Sequence, residues 1–576
     1  MKNIPSLDTS ADGIEEGKRL IKIGGDRGLS LTDRLMDRLQ RLAWRMPFHA
    51  GRLHGRHPLK LIAVADDPFL GDTERGNALL DGVLLFRGEA REIATLDLEK
   101  ADFSKPFAEY LHSFAWLRDL STVAPRAQAA PIAEALVRLW IAAHGEKVSD
   151  PAWRADLWGW RILFWVAHAP LILSSTDLVY RSSVLHALAR GARYLERSAD
   201  RVAPGPERIA AWCGVVAAGL LIPGGDPRRS FGEAGLQRAL GVSMFGDGGS
   251  VSRSPKGQLD TIMLLTQLRG AYNARRLDPP EFVSASLSRM VAPLLGICHG
   301  DKGLGSWQGS VPLSGEAVSA IVDASGVRTR PLRQSREWGY QRLSQGSTVV
   351  MIDAAPPPVS SPGACASTLA FELSDGPNRI VVNCGGGGML HAAAPAVLGE
   401  ALRTSAAHST LVVGDSNSTA ILADGALGRG VSQVELSRQE TENASRIEAS
   451  HDGYVRRFGL VHRRQISISA EGRDVRGEDA LVPVGKQKAR GDTPFAIRFH
   501  LSPSITITPT ADGQAALLRT PDGTMWQFRC RGGTLAIEDS IWIDGKGKPV
   551  PGEQLVVTGE APPGGTALSW VFHRAR

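Results

Sequence analysis

His408 has a side chain that could accept a proton or bind a metal ion, because imidazole titrates near neutral pH. It follows Arg403 by five residues and precedes the β-rich segment STLVV. His462 and Arg464 precede a second such segment, QISIS, and the two-residue period of a strand places both on one face. Since guanidinium groups bind carboxylates through paired hydrogen bonds, these residues predict a site for an anionic ligand. A buried structural histidine and an ordinary polar sheet face are the alternatives.

Tyr272 could supply a catalytic phenol to such a site. It lies one helical turn beyond Leu268, on the apolar face that Leu265 and Leu268 set. Packing in a helical core is therefore the alternative for this side chain.

The segment at residues 247–260, DGGSVSRSPKGQLD, has the form of a catalytic loop but contains neither Tyr nor His. Asp247, Gly248 and Gly249 predict a turn, and Pro255 predicts the start of a helix. Gly257 and Gln258 carry no group with a useful acid–base pKa. We therefore expect this segment to be catalytically silent.

The composition is that of a globular protein, with 43% hydrophobic and 22% charged residues in a chain of 576. The formal charge is +6 and the basic residues form no long run, so nucleic acid is not a predicted partner. Five scattered cysteines without a CxxC pair predict neither a zinc ribbon nor a disulfide framework. No signal peptide or transmembrane segment is visible, so the default location is cytoplasmic.

The spacing of hydrophobic residues along the sequence divides the chain into four regions. Residues 1–30 are polar and glycine-rich, which predicts a flexible N-terminus. Residues 31–100 form an N-terminal region that begins with a basic amphipathic helix at 31–46, docked on the protein or lying on an acidic membrane surface. Residues 101–315 have a helical period, with Trp116, Trp140, Trp160 and Trp165 on apolar faces that predict core packing. Residues 320–576 contain many short alternating segments, which predict an antiparallel β-sandwich.

Five segments, taken in order, resemble the heparinase II/III-like family of polysaccharide lyases. They are YLHSFAWLRDL, FGDGGSVSRSPKGQL, TLAFELSDGPNRIVVNCG, ALRTSAAHSTLVVGDSNS and GYVRRFGLVHRRQISIS. The resemblance covers residue 80 to the end and is most specific over 339–479. It implies a multidomain α+β fold, with an incomplete α/α toroid followed by a large antiparallel β-sandwich.

Members of this family are expected to cleave uronate glycans by β-elimination, with a Tyr, His and Asn in the cleft between the domains. Some also hold a metal ion in the β domain. This chain departs from the pattern at several positions: Gly257 and Gln258 stand in place of the Tyr, PGPERIAAWC lacks the Asn–His pair, Cys365 and Ser367 replace HxD, and Asn383 replaces an Asp. His408 of the HST motif is retained. The resemblance therefore indicates a divergent member.

We expect a lyase acting on an acidic, uronate-containing glycan, with His408 and Tyr272 as catalytic candidates. Arg403, Asn383, His462 and Arg464 are the candidates for substrate binding, and at least one of His462 and Arg464 should lie near Arg403 and His408. This lyase activity could be weak or lost. The alternative is a catalytically inactive glycan-binding or scaffold protein on the same fold. No metal is expected, since His408 and Cys365 give only two ligands for Zn²⁺. The resemblance also makes the cell envelope the alternative location, and the oligomeric state stays open.

Overall fold

The structure, a computed structural model, describes residues 17–22, 53, 55, 58–358, 361–441, 444–485 and 492–575. The basic helix predicted at 31–46 lies outside these residues. The N-terminal segment expected to be flexible contains a described strand, Gly17–Lys22, which pairs antiparallel with Gln433–Glu440. None of the helices in the described part of the chain has the length and apolar character needed to cross a membrane.

The first half of the chain is helical. Its helices are α1 (Thr73–Leu80), α2 (Lys105–Ser113), α3 (Trp116–Val123), α4 (Arg126–His144), α5 (Ala155–Ala167), α6 (Ala169–Ile172), α7 (Leu178–Ser198), α8 (Pro206–Leu221), α9 (Asp226–Ser243), α10 (Pro255–Ala274), α11 (Glu281–Gly296) and α12 (Gly315–Ser325). A hairpin, Val83–Phe86 with Glu89–Glu92, follows α1.

Local sequence explains where these helices begin and what they bury. Pro255 is the first residue of α10, and the Ser254 side chain accepts a hydrogen bond from the backbone N–H of Gly257. In the helical core, the guanidinium of Arg161 lies 3.9 Å from the ring centroid of Trp140 and 4.1 Å from that of Trp158. Tryptophans thus fill the centre of this domain.

The second half is a sandwich of two antiparallel sheets. The strands are β1 (Gly17–Lys22), β2 and β3 of the hairpin, β4 (Tyr340–Gln345), β5 (Thr348–Asp353), β6 (Phe371–Asp375), β7 (Asn378–Val382), β8 (Leu411–Val413), β9 (Gln433–Glu440), β10 (Ala444–His451), β11 (Leu460–Ser469), β12 (Asp474–Pro483), β13 (Thr493–Leu501), β14 (Thr506–Pro509), β15 (Ala515–Arg519), β16 (Met525–Arg531), β17 (Thr534–Ile543), β18 (Pro549–Ala561) and β19 (Thr566–Arg574). Two further one-turn helices are α13 (Leu398–Ala401) and α14 (Val455–Phe458).

One sheet has the order β1-β9-β10-β11-β12-β19-β16-β15-β14, and the other has the order β17-β18-β13-β7-β6-β5-β4, with β8 also on β13. Burial alternates strictly along β11, as the period of its sequence predicts. The apolar faces of the two sheets enclose one core, which includes Phe371, Phe499 and Trp570. A helical toroid followed by an antiparallel β-sandwich is therefore the observed architecture, and the predicted fold class is confirmed.

Candidate functional site

A cleft of about 610 Å³ lies between the helical domain and loops of the sandwich. The helices α2, α5, α8 and α10 begin at its wall, and the loops at 361–363 and 388–389 face them. A second cavity of about 310 Å³ shares eight of the lining residues. We refer to both together as the interdomain cleft.

The lining of the cleft mixes charges of both signs with aromatic rings. Arg154 contacts the carboxylates of Glu109 and Asp156 at 2.7 and 2.6 Å. Lys256 pairs with Asp260 at 2.5 Å. The aromatic side chains that line the cleft and are partly exposed are Phe86, Trp160 and Tyr194.

Trp160 therefore differs from the other tryptophans predicted to be in the core. Trp116, Trp140 and Trp165 are buried, whereas Trp160 is half-buried at the cleft and stacks on Phe164 at 5.9 Å between ring centroids. The sequence did not predict this position, because helical spacing indicates which side chains point away from bulk solvent. It does not distinguish a side chain in the core from one that lines a cleft.

None of the six predicted site residues lines the interdomain cleft. Tyr272 lies in the helical core, where its hydroxyl donates a hydrogen bond of 2.7 Å to the Oε1 of Glu233. Burial, and then the hydrogen bond to Glu233, raises the pKa of Tyr272 far above its ordinary value. The structure thus places Tyr272 in the packing role that helical spacing gave as its alternative.

His408 is 1% exposed and lies beneath the surface of the sandwich. Its Nδ1 lies 2.7 Å from the carbonyl oxygen of Thr404, so this nitrogen must be the one that donates. Burial lowers the pKa of His408, which keeps the imidazole neutral. His408 is therefore a neutral, buried histidine that stabilises the loop at Thr404. It does not line the cleft where a substrate would bind.

Arg464 and His462 lie beside the loop that carries His408, but their side chains are buried. Arg464 donates a hydrogen bond of 2.8 Å to the carbonyl oxygen of Ser409, the residue next to His408. The same guanidinium contacts both carboxylate oxygens of Asp479, at 2.7 and 3.1 Å. His462 shares that carboxylate through its Nε2, at 2.7 Å from Oδ1. Asp479 thus satisfies Arg464 and His462, which leaves neither side chain available for a ligand.

Arg403 and Asn383 also have internal partners. Arg403 is 7% exposed, and its Nε donates a hydrogen bond of 2.8 Å to the carbonyl oxygen of Ala364. Asn383 donates through Nδ2 to the Oε1 of Glu372 at 2.9 Å and accepts from the N–H of Ser409 at 2.9 Å. An ionised Asp in place of Asn383 could not donate, and it would place a second negative charge beside Glu372. The amide at this position therefore fits a structural role between strands.

Among the described residues, no group of three or more His, Cys, Asp and Glu side chains could hold a metal ion. Cys365 and Cys384 are both buried and without disulfide partners. Burial raises the pKa of each thiol, to about 12, so neither is a thiolate near neutral pH.

The glycine-rich segment at 247–260 connects the two domains. Arg253 is 2% exposed and has a positive φ of 54°. Its guanidinium contacts the Oδ1 of Asp353 at 2.5 Å, and the Oδ2 of Asp353 accepts from Gln308 at 2.9 Å and from Ser367 at 2.8 Å. We refer to Arg253, Asp353, Gln308 and Ser367 as the interdomain clasp. The segment resembles a catalytic loop in sequence, but in the structure its Arg253 joins the helical domain to the sandwich.

Gln258, which stands near the position of the family Tyr, is fully buried within this junction. Its amide donates to the carbonyl oxygens of Gly248 and Met290, at 2.8 and 3.0 Å, and accepts from the N–H of Ser250 at 2.8 Å. Gly257 does line the cleft, but a side chain there would meet Pro206 at 2.9 Å from its Cβ. Neither Gly257 nor Gln258 therefore offers an acid–base group to the cleft.

Residues 327–571 match the family model described as Heparinase II/III-like, C-terminal. The C-terminal domain is therefore similar to the heparinase II/III-like family. The full architecture is similar to the crystal structure of heparinase III, with a TM-score of 0.70 over 96% of this chain and 93% of that chain, at 12% identity. It is also similar to a heparan sulfate lyase mutant from Pedobacter heparinus, with a TM-score of 0.60 over 96% and 92% of the two chains, at 14% identity. At such identities, the likeness shows that this chain shares the fold of these lyases.

A curated relative is similar over most of the chain. FtsZ-localized protein C of Caulobacter vibrioides is 28% identical over 546 residues, which cover 90% of this chain and 91% of the relative.

Proposed function

We propose that this protein binds a carbohydrate in the interdomain cleft and does not cleave it by β-elimination. The observation that carries the proposal is the position of the expected reactive groups. His408, Tyr272 and Asn383 are buried and hydrogen-bonded outside the cleft. Elimination needs a base, an acid and a group that neutralises the uronate carboxylate, and all must contact the substrate.

The cleft itself supports binding. Ligand sites are concave, with aromatic walls and a few polar groups that fix orientation. Phe86, Trp160 and Tyr194 provide partly exposed rings, and the paired charges around Arg154 provide donors and acceptors. Tyr194 is a phenol in the cleft wall, but its ring packs edge-on against Trp153 at 5.2 Å between centroids. It therefore has a packing role beside any contact with a ligand.

The Trp160→Ala variant tests where a carbohydrate binds. We expect this change to weaken binding of an uncharged trisaccharide by about 2- to 10-fold, since it removes an aromatic contact worth about 0.5–1.5 kcal/mol. Calorimetric titration measures the affinity. Trp542→Ala, a half-buried tryptophan in the sandwich outside the cleft, is the matched control and should leave the affinity unchanged. Equal losses in the two variants would contradict a binding site in the cleft.

The similarity to FtsZ-localized protein C favours a second candidate function, association with FtsZ as a structural partner. It is compatible with the first, because it concerns where the protein acts and not what the cleft holds. Co-sedimentation with assembled FtsZ tests it: recovery in the pellet only when FtsZ is present supports this function, and recovery in the supernatant at every FtsZ concentration contradicts it.

A further inference from the structure

A contact between the two domains lies beside the interdomain cleft, apart from the interdomain clasp. The turn between β2 and β3 belongs to the helical domain, and it reaches the sandwich loop at 389–392. The Nη1 of Arg87 in this turn donates a hydrogen bond of 2.6 Å to the carbonyl oxygen of Met389. The carbonyl oxygen of Arg87 accepts another of 2.8 Å from the N–H of Ala392. We refer to Arg87 and the loop at 389–392 as the bridge.

The local sequence of the turn permits this close approach. Both of its residues have a positive φ, 47° at Arg87 and 76° at Gly88, as the favoured two-residue hairpin turn requires. A Cβ at Gly88 would lie 1.9 Å from the ring of His391, so a side chain there would displace the loop. A residue other than glycine seldom adopts a positive φ. Because the backbone and the side chain of Arg87 both bind the sandwich, the contact between the domains stabilises this conformation.

The bridge forms part of the wall of the cleft. Phe86, the residue before the turn, lines the smaller cavity, and Met389 lines both cavities. Phe86 also stacks on Tyr110 of α2 at 4.5 Å between ring centroids, which anchors the turn to the helical domain. Gln308, which belongs to the interdomain clasp, lines the larger cavity. The cleft is therefore flanked by two contacts between the domains.

Two such contacts limit how a polymer can enter. A groove that is open along its whole length needs only one junction between its walls. A second contact between the walls closes the groove over its top or at one end. In either case the middle of a long chain cannot fill the cleft while the bridge is intact, whereas a free chain end can enter lengthwise.

We propose that the interdomain cleft binds the free end of a glycan chain and that the bridge determines this preference. This inference rests on the proposed function, carbohydrate binding in the cleft. The ring of Phe86, next to the bridge, provides an aromatic surface for the terminal sugar.

The side-chain contacts at the bridge can be removed without touching the clasp. The Nη2 of Arg87 lies 3.5 Å from the carbonyl oxygen of Gly545, and the next residue, Lys546, pairs with Glu74 of α1 at 2.7 Å. The side chains of Lys546 and Glu74 are 70% and 62% exposed, so this pair stabilises little. The double variant Arg87→Ala/Lys546→Ala removes these contacts and leaves the buried clasp intact.

The number of protein molecules bound per glycan chain tests the inference. The probes are an uncharged mixed-linkage β-glucan and heparan sulfate, each prepared as a short and a long fraction. Calorimetric titration of the full chain gives the number bound at saturation. A site for chain ends predicts the same number for the short and the long fraction, because both have the same number of ends per chain. A site for the middle of a chain predicts a number that increases with chain length.

The bridge variants show whether the bridge is responsible. In Arg87→Ala/Lys546→Ala, the number bound should increase with chain length, since the middle of a chain can then enter the cleft. The matched control is Arg476→Ala/Lys100→Ala, which removes an exposed arginine and an exposed lysine outside the cleft, each beside an aspartate. It should keep the same number for both fractions. Because short and long fractions are compared within one variant, a partial loss of folded protein would not imitate the expected change.

The outcomes separate the inference from the proposed function. A number that increases with chain length in the unchanged protein, or that stays constant in Arg87→Ala/Lys546→Ala, would overturn the inference alone. If neither glycan binds in either fraction, carbohydrate binding in the cleft is itself refuted, and the inference fails with it.

Discussion

Arg253→Ala should lower the free energy of unfolding by about 3–5 kcal/mol, because it leaves the buried Asp353 carboxylate without its cationic partner. Asp353 is 0% exposed and Arg253 is 2% exposed. The guanidinium also donates to the carbonyl oxygens of Trp338 and Pro356, at 2.8 and 3.0 Å, and lies 4.9 Å from the ring centroid of Tyr340. Urea unfolding followed by tryptophan fluorescence measures the change.

The control for this prediction is Lys256→Ala, three residues further along the same segment. Lys256 also pairs with a carboxylate, but its side chain is 33% exposed and that of Asp260 is 28% exposed. A partly exposed pair of this kind contributes about 0–1 kcal/mol. If Arg253→Ala and Lys256→Ala had similar small effects, the interdomain clasp would not hold the two domains together.

Acid should destabilise the protein well before its carboxylates titrate. Burial lowers the pKa of His112 to about 2 and that of His500 to about 3. An unfolded histidine titrates near pH 6.5, so below that pH the unfolded chain takes up protons that the folded chain does not. The stabilisation is therefore complete above about pH 6.5 and is lost as the pH falls. At pH 5 the loss is about 2 kcal/mol for each of the two residues.

Thermal unfolding between pH 7.5 and 5 measures this loss. His500→Gln removes one titrating group, so its stability should fall by about 2 kcal/mol less over the same range, whatever its starting value. A stability that is constant from pH 7.5 to 5 would show that these imidazoles can protonate in the folded state.

The fold class could be predicted because it depends on the hydrophobic period, which the sequence shows directly. The period changes from helical to alternating between α12, which ends at Ser325, and β4, which begins at Tyr340. Strand Gly17–Lys22 could not be predicted in this way. It is short and polar, and its partner lies more than 400 residues away, so its stability comes from pairing and not from its own pattern.

The site was harder to predict, because burial and partners depend on register. Arg464 and His462 were correctly placed on one face of a strand, but the alternation does not say that Asp479 of the neighbouring strand lies directly opposite Arg464. Because of this register, Arg464 and His462 bind Asp479 within the protein and are not available to a ligand. In the same way, the resemblance located the segment around Glu207, but only the three-dimensional cleft shows that its carboxylate joins those of Asp156 and Asp260.

We propose that the interdomain cleft of this protein has no β-elimination chemistry. Elimination would leave a conjugated, unsaturated uronate, which absorbs ultraviolet light, whereas binding alone produces no new chromophore. Tyr194 is the one cleft residue that offers a partly exposed phenol among the described residues, so Tyr194→Phe tests whether this phenol is the source of any activity.

The most direct measurement follows ultraviolet absorbance while the purified protein is incubated with heparan sulfate, with a heparan sulfate lyase as the positive control. We expect no increase over the protein-free blank across the range from pH 6 to 9, even when the positive control has gone to completion. A protein-dependent increase, abolished in Tyr194→Phe, would contradict the account and show that the cleft retains lyase activity.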